Sequence, residues 1–383
     1  MNLTTLEILA QLIKFPTVSR ESNLPLISWI RNFLAEFGID SHLIHNGDGS
    51  KSNLLASIGP SEAGGLVLSG HTDVVPVDGQ AWSQDPFALT PRGSRLYGRG
   101  ACDMKGFLAA VLAQVPNWKQ SRLRRPIHLM FSYDEEVGCL GVQSMIERAQ
   151  ELIPLPAAVI VGEPTGMVLA TEHKGVCLLR THVKGIEAHS SLTHQGVSAV
   201  TLAGELISFL SGLLHKLALH RDVGSAFNPP HTTLSVNQVA GGTAVNIIAA
   251  DCQFTWDIRA MPGENPNDIL QKLSTFAAQR LEELASAGKR CSIETVILAD
   301  VPSLEADTGA AECLVRAVSG DHGHSMSMPF GTEAGYFQRA GWSTVICGPG
   351  DIAQAHKPDE YLERAQLAAC EELLERLVFQ QSI

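Results

Sequence analysis

The chain lacks the short-spaced cysteine pairs of a zinc knot, and it has no G-x-S-x-G elbow, H-E-x-x-H helix or G-x-x-x-x-G-K-[ST] loop. Each absence removes a class of chemistry. With no C-x-x-C, the eight cysteines read as reduced core thiols of a cytosolic protein and not as a disulfide frame. Without the other three motifs, serine-hydrolase, zincin and P-loop readings have no anchor. Basic residues are also scarce: 28 Lys+Arg face 40 Asp+Glu, a formal charge of −12. That balance argues against nucleic acid or an anionic membrane as a partner. No uninterrupted apolar run approaches the roughly 18 residues of a bilayer span. No basic residue precedes Lys14, so no signal peptide is expected, and the expected location is the cytoplasm.

What is present is an ordinary globular composition, 45% hydrophobic and 18% charged over 383 residues. This leaves room for two domains at roughly 100–200 residues each. Apolar runs of strand length at 54–58, 66–68, 127–131 and 157–161 alternate with helical periodicity at 3–15, 24–37, 104–115 and 142–152. That alternation predicts an α/β layer structure around a mixed, largely parallel sheet. After Pro164 the style changes. Strand-like segments at 176–183, 232–239 and 245–258 and long helices at 197–219 and 266–287 predict a small α+β domain. The α/β style resumes from Cys291, with a strand at 293–298, helix at 309–319, strand at 344–347 and C-terminal helix at 358–378. The expected organisation is a domain of residues 1–173 and 290–383 interrupted by one of residues 174–289.

Five segments carry chemistry, and each has a bland alternative. Gly70-His71-Thr72-Asp73 leaves a buried strand, where open α/β sheets place ligands, and Asp73 can fix the His71 tautomer. Gly98-Arg99-Gly100-Ala101-Cys102-Asp103 precedes a helix; Asp103 can cap it or offer a carboxylate to a metal. Cys102 reads as a packing residue, because nearby acids raise a thiol's pKa. Asp134-Glu135-Glu136 crowds three carboxylates at a strand end, either as a solvated turn or around a cation. Gly162-Glu163-Pro164 ends another strand, and His356 follows the Gly348-Pro349-Gly350 loop.

Taken together, His71, Asp103, Glu136, Glu163 and His356 are the wrong set for a closed structural zinc, which favours Cys and His. They suit two divalent ions sharing one carboxylate. Two such ions, three carboxylates and one hydroxide sum to a neutral site. Glu135 is left over, placed to take a proton from an activated water and pass it to a leaving amine, which is the chemistry of amide hydrolysis. The other classes considered are a binding protein that keeps the cage without turnover and a nucleotide-binding enzyme using residues 98–106.

These motifs, in this order along nearly the whole chain, resemble the di-zinc aminoacylase/carboxypeptidase family of metallohydrolases. The resemblance implies that Asp103 bridges both ions, His71 and Glu163 complete one site, and Glu136 and His356 complete the other. It implies Glu135 as general base, Asp73 as partner of His71, and a cis peptide at Asp103–Met104. It implies two Zn²⁺ ions, with Co²⁺ as a substitute, in a zinc-peptidase-like domain. The inserted domain would be a ferredoxin-like lid that also forms a homodimer.

Within that insert, His189 of Gly185-Ile186-Glu187-Ala188-His189-Ser190 matches the residue that polarises the scissile carbonyl. Asn246 and Arg259 match positions that hold a substrate carboxylate, a role an amide and a guanidinium fork suit. The segments Gly331-Thr332-Glu333-Ala334 and Ala355-His356-Lys357-Pro358-Asp359-Glu360 are similar to those of members that deacetylate N-acetyl-L-ornithine in arginine synthesis. Succinyl-diaminopimelate, other N-acyl amino acids and dipeptides are the alternative substrates. Glu333 is expected to face the ornithine ammonium.

Overall fold

Short apolar runs rich in Leu, Val and Ile become the strands of an eight-stranded mixed sheet. Their order is Ser41–His45, Ser52–Ile58, Ile127–Ser132, Leu66–His71, Ala158–Val161, Thr344–Ile346, Ala170–His173, Met326–Met328. This computed structural model describes residues 3–221, 224–320 and 323–382. It divides into two units: Met1–Glu172 with Leu304–Ser327 and Thr332–Ile383, and His173–Ser303 with Met328–Gly331.

In the first unit the four central strands run parallel. Leu66–His71 pairs with Ile127–Ser132 on one side and Ala158–Val161 on the other, and the latter pairs with Thr344–Ile346. Every residue of these four strands is buried, as expected of parallel strands covered on both faces. Helices Thr5–Ile13, Leu24–Glu36, Gly106–Gln120, Ala310–Ser319 and Arg364–Ser382 contribute their apolar faces to one core with this sheet. Thr4 and Glu7 close a reciprocal capping box at the start of the first helix.

Two helix boundaries differ from the periodicity. The third helix carries Pro116 and continues to Gln120. The last begins at Arg364, because Tyr361–Glu363 pairs as a strand with Arg95–Tyr97.

The second unit is a four-stranded antiparallel sheet in the order Thr233–Gly241, Asp251–Ala260, Gly175–Lys184, Ser292–Val301. Numbered along the chain this is the 4-1-3-2 order of a ferredoxin-like fold. Helices Ala199–Leu219 and Pro266–Ser286 pack on the sheet, with Phe209 stacked on Phe276 at 4.5 Å. Ser292–Val301 pairs with Gly175–Lys184 along its length, so this sheet extends past the sequence-derived boundary at 289. Among the described residues, Ala199–Leu219 alone is long and apolar enough to cross a membrane by length and composition. Ala199, Leu202, Ala203, Leu206 and Leu210 of that helix are buried in the unit's core.

One buried histidine in the first unit has a measurable consequence. His128 lies within the central sheet with Nδ1 2.8 Å from Ser57 Oγ and Nε2 unpartnered, and burial holds its pKa at about 4 instead of 6.5. Between those values the unfolded chain binds the extra proton, so stability is present above the window and is lost as pH falls through it. The loss is at most roughly 3 kcal/mol at about 1.4 kcal/mol per unit. We expect His128→Gln to flatten that part of the acid limb, checked by urea unfolding on both sides of the window.

Candidate metal centre

Four parallel strands end at one edge of the sheet, and the residues that follow each carboxyl end gather there. His71 is the last residue of its strand and pairs in register with Ser132, two residues before Asp134. Ala158–Val161 delivers Glu163, and Thr344–Ile346 leads into the loop that carries His356. Open α/β sheets bind ligands at this edge. Asp103 enters from a different element, the kinked turn Ala101–Lys105 that precedes helix Gly106–Gln120. Gly100 starts that turn at φ +79°, a conformation open to glycine. Gly162 is required by space, since a Cβ there would overlap the Phe107 ring. The Asp103–Met104 peptide is cis, as the resemblance implied.

The two oxygens of Asp103 face different histidines. Oδ1 lies 3.0 Å from His71 Nε2, and Oδ2 lies 3.1 Å from His356 Nε2. Glu163 Oε1 is 3.8 Å from His71 Nε2, and Glu136 Oε2 is 3.1 Å from His356 Nε2. The remaining oxygen of Glu136, Oε1, and Oε1 of Glu163 are buried without a hydrogen-bond partner among the described residues. Two imidazoles, three carboxylates and orphaned carboxylate oxygens form a donor set that fits divalent cations. By ligand-atom proximity alone, His71, Asp103 and Glu136 make one cluster, and His71, Glu135 and Glu163 another. The shorter contacts assign His356 to the first cluster. Glu135 makes no ion pair among the described residues, and its Oε1 accepts from the Cys139 thiol at 3.4 Å.

Charge crowding shows in the titration of these groups. Burial, then repulsion from Asp103, pushes Glu136 up to about 7. Burial also raises Glu163 well above the carboxylate range, with Asp103 and Glu135 adding to it. Glu135 is raised too, by burial foremost and by Glu136, Glu333 and Asp103, with His71 opposing. Although burial works against it, Asp103 stays ionised because His356 and His71 donate to it. Hydrogen bonds to Asp103 and Glu136 hold His356 at about 11. The cage favours positive charge.

Asp73 acts through different atoms than the sequence suggested. His71 Nδ1 donates to the main-chain carbonyl of Asp73 at 2.9 Å, while the carboxylate stands 3.6 Å away. That carboxylate instead accepts the N–H groups of Glu135 and Glu136 at 3.1 and 3.3 Å and the Ser19 hydroxyl at 2.7 Å. It therefore holds the segment that carries the spare acid. Lys51 reaches the same segment, donating to Asp134 Oδ1 at 2.6 Å and to the Ser19 carbonyl. Asp134 has φ +57°, a left-handed strain that this ion pair helps to hold. Ser19 and Lys51 were not read as functional, because their partners lie tens of residues away and no local pattern marks them.

Glu333 departs from its expected position. Its side chain is enclosed, 1% exposed, with Oε2 3.3 Å from Ser69 Oγ. Burial raises its pKa to about 7. Its other oxygen, Oε1, is buried with no hydrogen-bond partner among the described residues, and the short helix Ala334–Arg339 starts beside it.

In the second unit, His189 is exposed on a two-residue strand, with Nδ1 2.8 Å from Ser191 Oγ. It pairs in register with Ile247, and Ser190 N donates to the Asn246 carbonyl at 3.0 Å, so His189 and Asn246 are neighbours. Arg259 is not with them. It pairs with Val176 at one end of strand Asp251–Ala260 and donates to Asp257 at 2.8 Å. The His189 hairpin extends from the other end, beyond the Asp251–Lys184 pair. Eight strand residues, about 26 Å at roughly 3.3 Å each, separate the two ends.

Residues 67–380 match the profile of peptidase family M20/M25/M40. The chain belongs to that family. Two similar proteins are acetylornithine deacetylases. That of Pasteurella multocida (strain Pm70) is 33% identical over 383 residues, covering 98% of this chain and 97% of the relative. That of Myxococcus xanthus is 34% identical over 375 residues, covering 97% and 95%.

Two solved structures share the fold. The M20 family metallo-carboxypeptidase Sso-CP2 of Sulfolobus solfataricus superposes with a TM-score of 0.76 at 18% identity over 99% of each chain. The YXEP protein of Bacillus subtilis, described as a dinuclear metal-binding peptidase, gives 0.66 at 16% over 99% and 98%.

Proposed function

We propose that this chain is a two-zinc amidohydrolase that removes the acetyl group from N-acetyl-L-ornithine, giving ornithine and acetate for arginine synthesis in the cytoplasm. Cobalt would substitute for zinc, since imidazole and carboxylate donors accept both. The observation that carries the reading is the division of Asp103 between His71 and His356, with Glu135 close by and outside both contacts. In this reading Asp103 would bridge the ions, His71 and Glu163 would hold one, and Glu136 and His356 the other. Such a cation pair supplies Lewis acidity that polarises an amide carbonyl and acidifies a water at neutral pH. The substrate follows from similarity to the two deacetylases along nearly the whole chain.

The chain's own groups do the rest. Glu135 takes the proton of the attacking water and delivers it to the departing amine nitrogen. The Asp73 carboxylate, through the N–H groups of Glu135 and Glu136, keeps that acid in place. His189 donates to the carbonyl oxygen, and Asn246 and Arg259 hold the substrate carboxylate. A small substrate cannot reach both ends of the second unit's sheet, so it would draw Arg259 and the His189/Asn246 pair from two copies of the chain. A homodimer through the second unit is therefore part of the proposal. The half-covered helix Ala199–Leu219 and exposed Val296, Ile297 and Leu298 on an edge strand support it.

Turnover of acetylornithine, succinyl-diaminopimelate and a dipeptide panel, run beside metal analysis, tests the assignment. A preference for either competitor would move it to another activity of the family. Because Glu333 is enclosed, we expect Glu333→Gln to leave the ratio of kcat/KM for acetylornithine over uncharged acetylamino acids within about threefold. A selective loss on acetylornithine would return Glu333 to the role of ammonium contact.

A further inference from the structure

The two proposed cation sites are held in place by different means. His71 ends a central strand whose hydrogen bonds fix its backbone. His356 lies in a loop at φ +61°, with its side chain half exposed, and Asp359 three residues on is also left-handed at φ +56°. Non-glycine residues stay in that region only where neighbours hold them. The neighbours here are the loop that carries Gln80 and Ser83. Gln80 Nε2 donates to the His356 carbonyl at 3.1 Å, and both N and Oγ of Ser83 donate to Asp359 Oδ1 at 3.0 Å.

The same glutamine leads back to Asp103. Arg99 Nη2 donates to Gln80 Oε1 at 2.6 Å, and the Trp82 indole donates to that oxygen at 2.9 Å while lying 5.1 Å from the guanidinium. Arg99 Nη1 donates to Glu360 Oε2 at 2.6 Å, and both side chains are 1% exposed. An ion pair so buried is destabilising unless its remaining atoms find partners. Those of Glu360 are the N–H groups of Gly100, Cys102 and Asp103, at 3.1, 2.9 and 3.1 Å. Glu360 thus grips the turn that presents Asp103. A continuous run of hydrogen bonds joins the backbone of the shared carboxylate to the backbone of His356, residues some 250 positions apart.

We propose that Gln80, anchored through Arg99 and Glu360, is a positioning residue that sets His356 against Asp103 and so sets the affinity of the Glu136/His356 cation site. The His71/Glu163 site, carried by the sheet, does not depend on it. This inference rests on the two-cation reading.

Cobalt titrated into the metal-free full-length chain, followed by its visible absorption, reads the two affinities separately. In Gln80→Ala the first ion binds as in the wild type, and the second binds about 10–100-fold more weakly, the usual effect of losing an outer partner of a ligand. Gln80→Glu keeps an acceptor for Arg99 and Trp82 but loses the donor to His356, and it weakens the second ion in the same way. The thermal midpoint of metal-free Gln80→Glu, which keeps an acceptor for the buried Arg99, stays within about 2 °C of the wild type, whereas Gln80→Ala strands Arg99 Nη2 and falls further, so Gln80→Glu is the deciding variant. An unchanged second affinity, or two affinities that fall together, overturns the proposal. A wild-type chain that takes up no second ion removes the two-cation reading and this inference with it.

Discussion

Replacing Glu135 by glutamine lowers amide hydrolysis by about 10²–10⁴-fold and leaves both cations bound. The size is that of a lost general base. Gln is nearly isosteric with Glu, so the backbone N–H groups that Asp73 accepts stay where they are. What disappears is a proton acceptor within reach of the cage that makes no ion pair of its own. The check is kcat for acetylornithine beside metal stoichiometry on the same preparation. A variant that keeps its activity would take Glu135 out of the reaction. A variant that loses metal would make it a ligand, the role its proximity to His71 and Glu163 also permits.

Chelation has the second largest effect. Removal of the ions is expected to abolish turnover and lower the thermal midpoint, and zinc or cobalt should restore both. The loss of stability follows from mass action, about 4 kcal/mol for an ion present at a thousand times its Kd. It also follows from electrostatics. Asp103, Glu135, Glu136 and Glu163 share a buried edge where burial and mutual repulsion raise three of the four above the usual carboxylate range. Turnover that survives exhaustive chelation would remove the metal-dependent reading, and a midpoint that does not move would show that the ions do not stabilise the fold.

Much of this was legible before any coordinates. Residues 157–161 are a continuous apolar run and 127–131 an apolar run broken only by His128, and the acids and His71 stand shortly after such runs, so their placement at one sheet edge follows from the parallel order. The enclosure of Glu333 was not legible, because a motif gives a residue's neighbours in the chain and not its exposure. Ser292–Val301 carries strand propensity that suits either sheet; only its antiparallel pairing with Gly175–Lys184 assigns it to the second unit. The separation of Arg259 from His189 was equally hidden, since it depends on the register of one strand.

The amino-acid sequence by itself determined most element types, a small α+β insert and the five candidate ligands with their spare acid, because periodicity and residue chemistry are local properties; the ferredoxin-like strand order of the insert was only implied by the family resemblance. The tertiary structure alone decided which oxygen of Asp103 faces which histidine, that Asp73 holds the acid's backbone, and that Gln80 links His356 to Arg99. Those contacts join positions far apart in the chain, where only packing and register choose the partner.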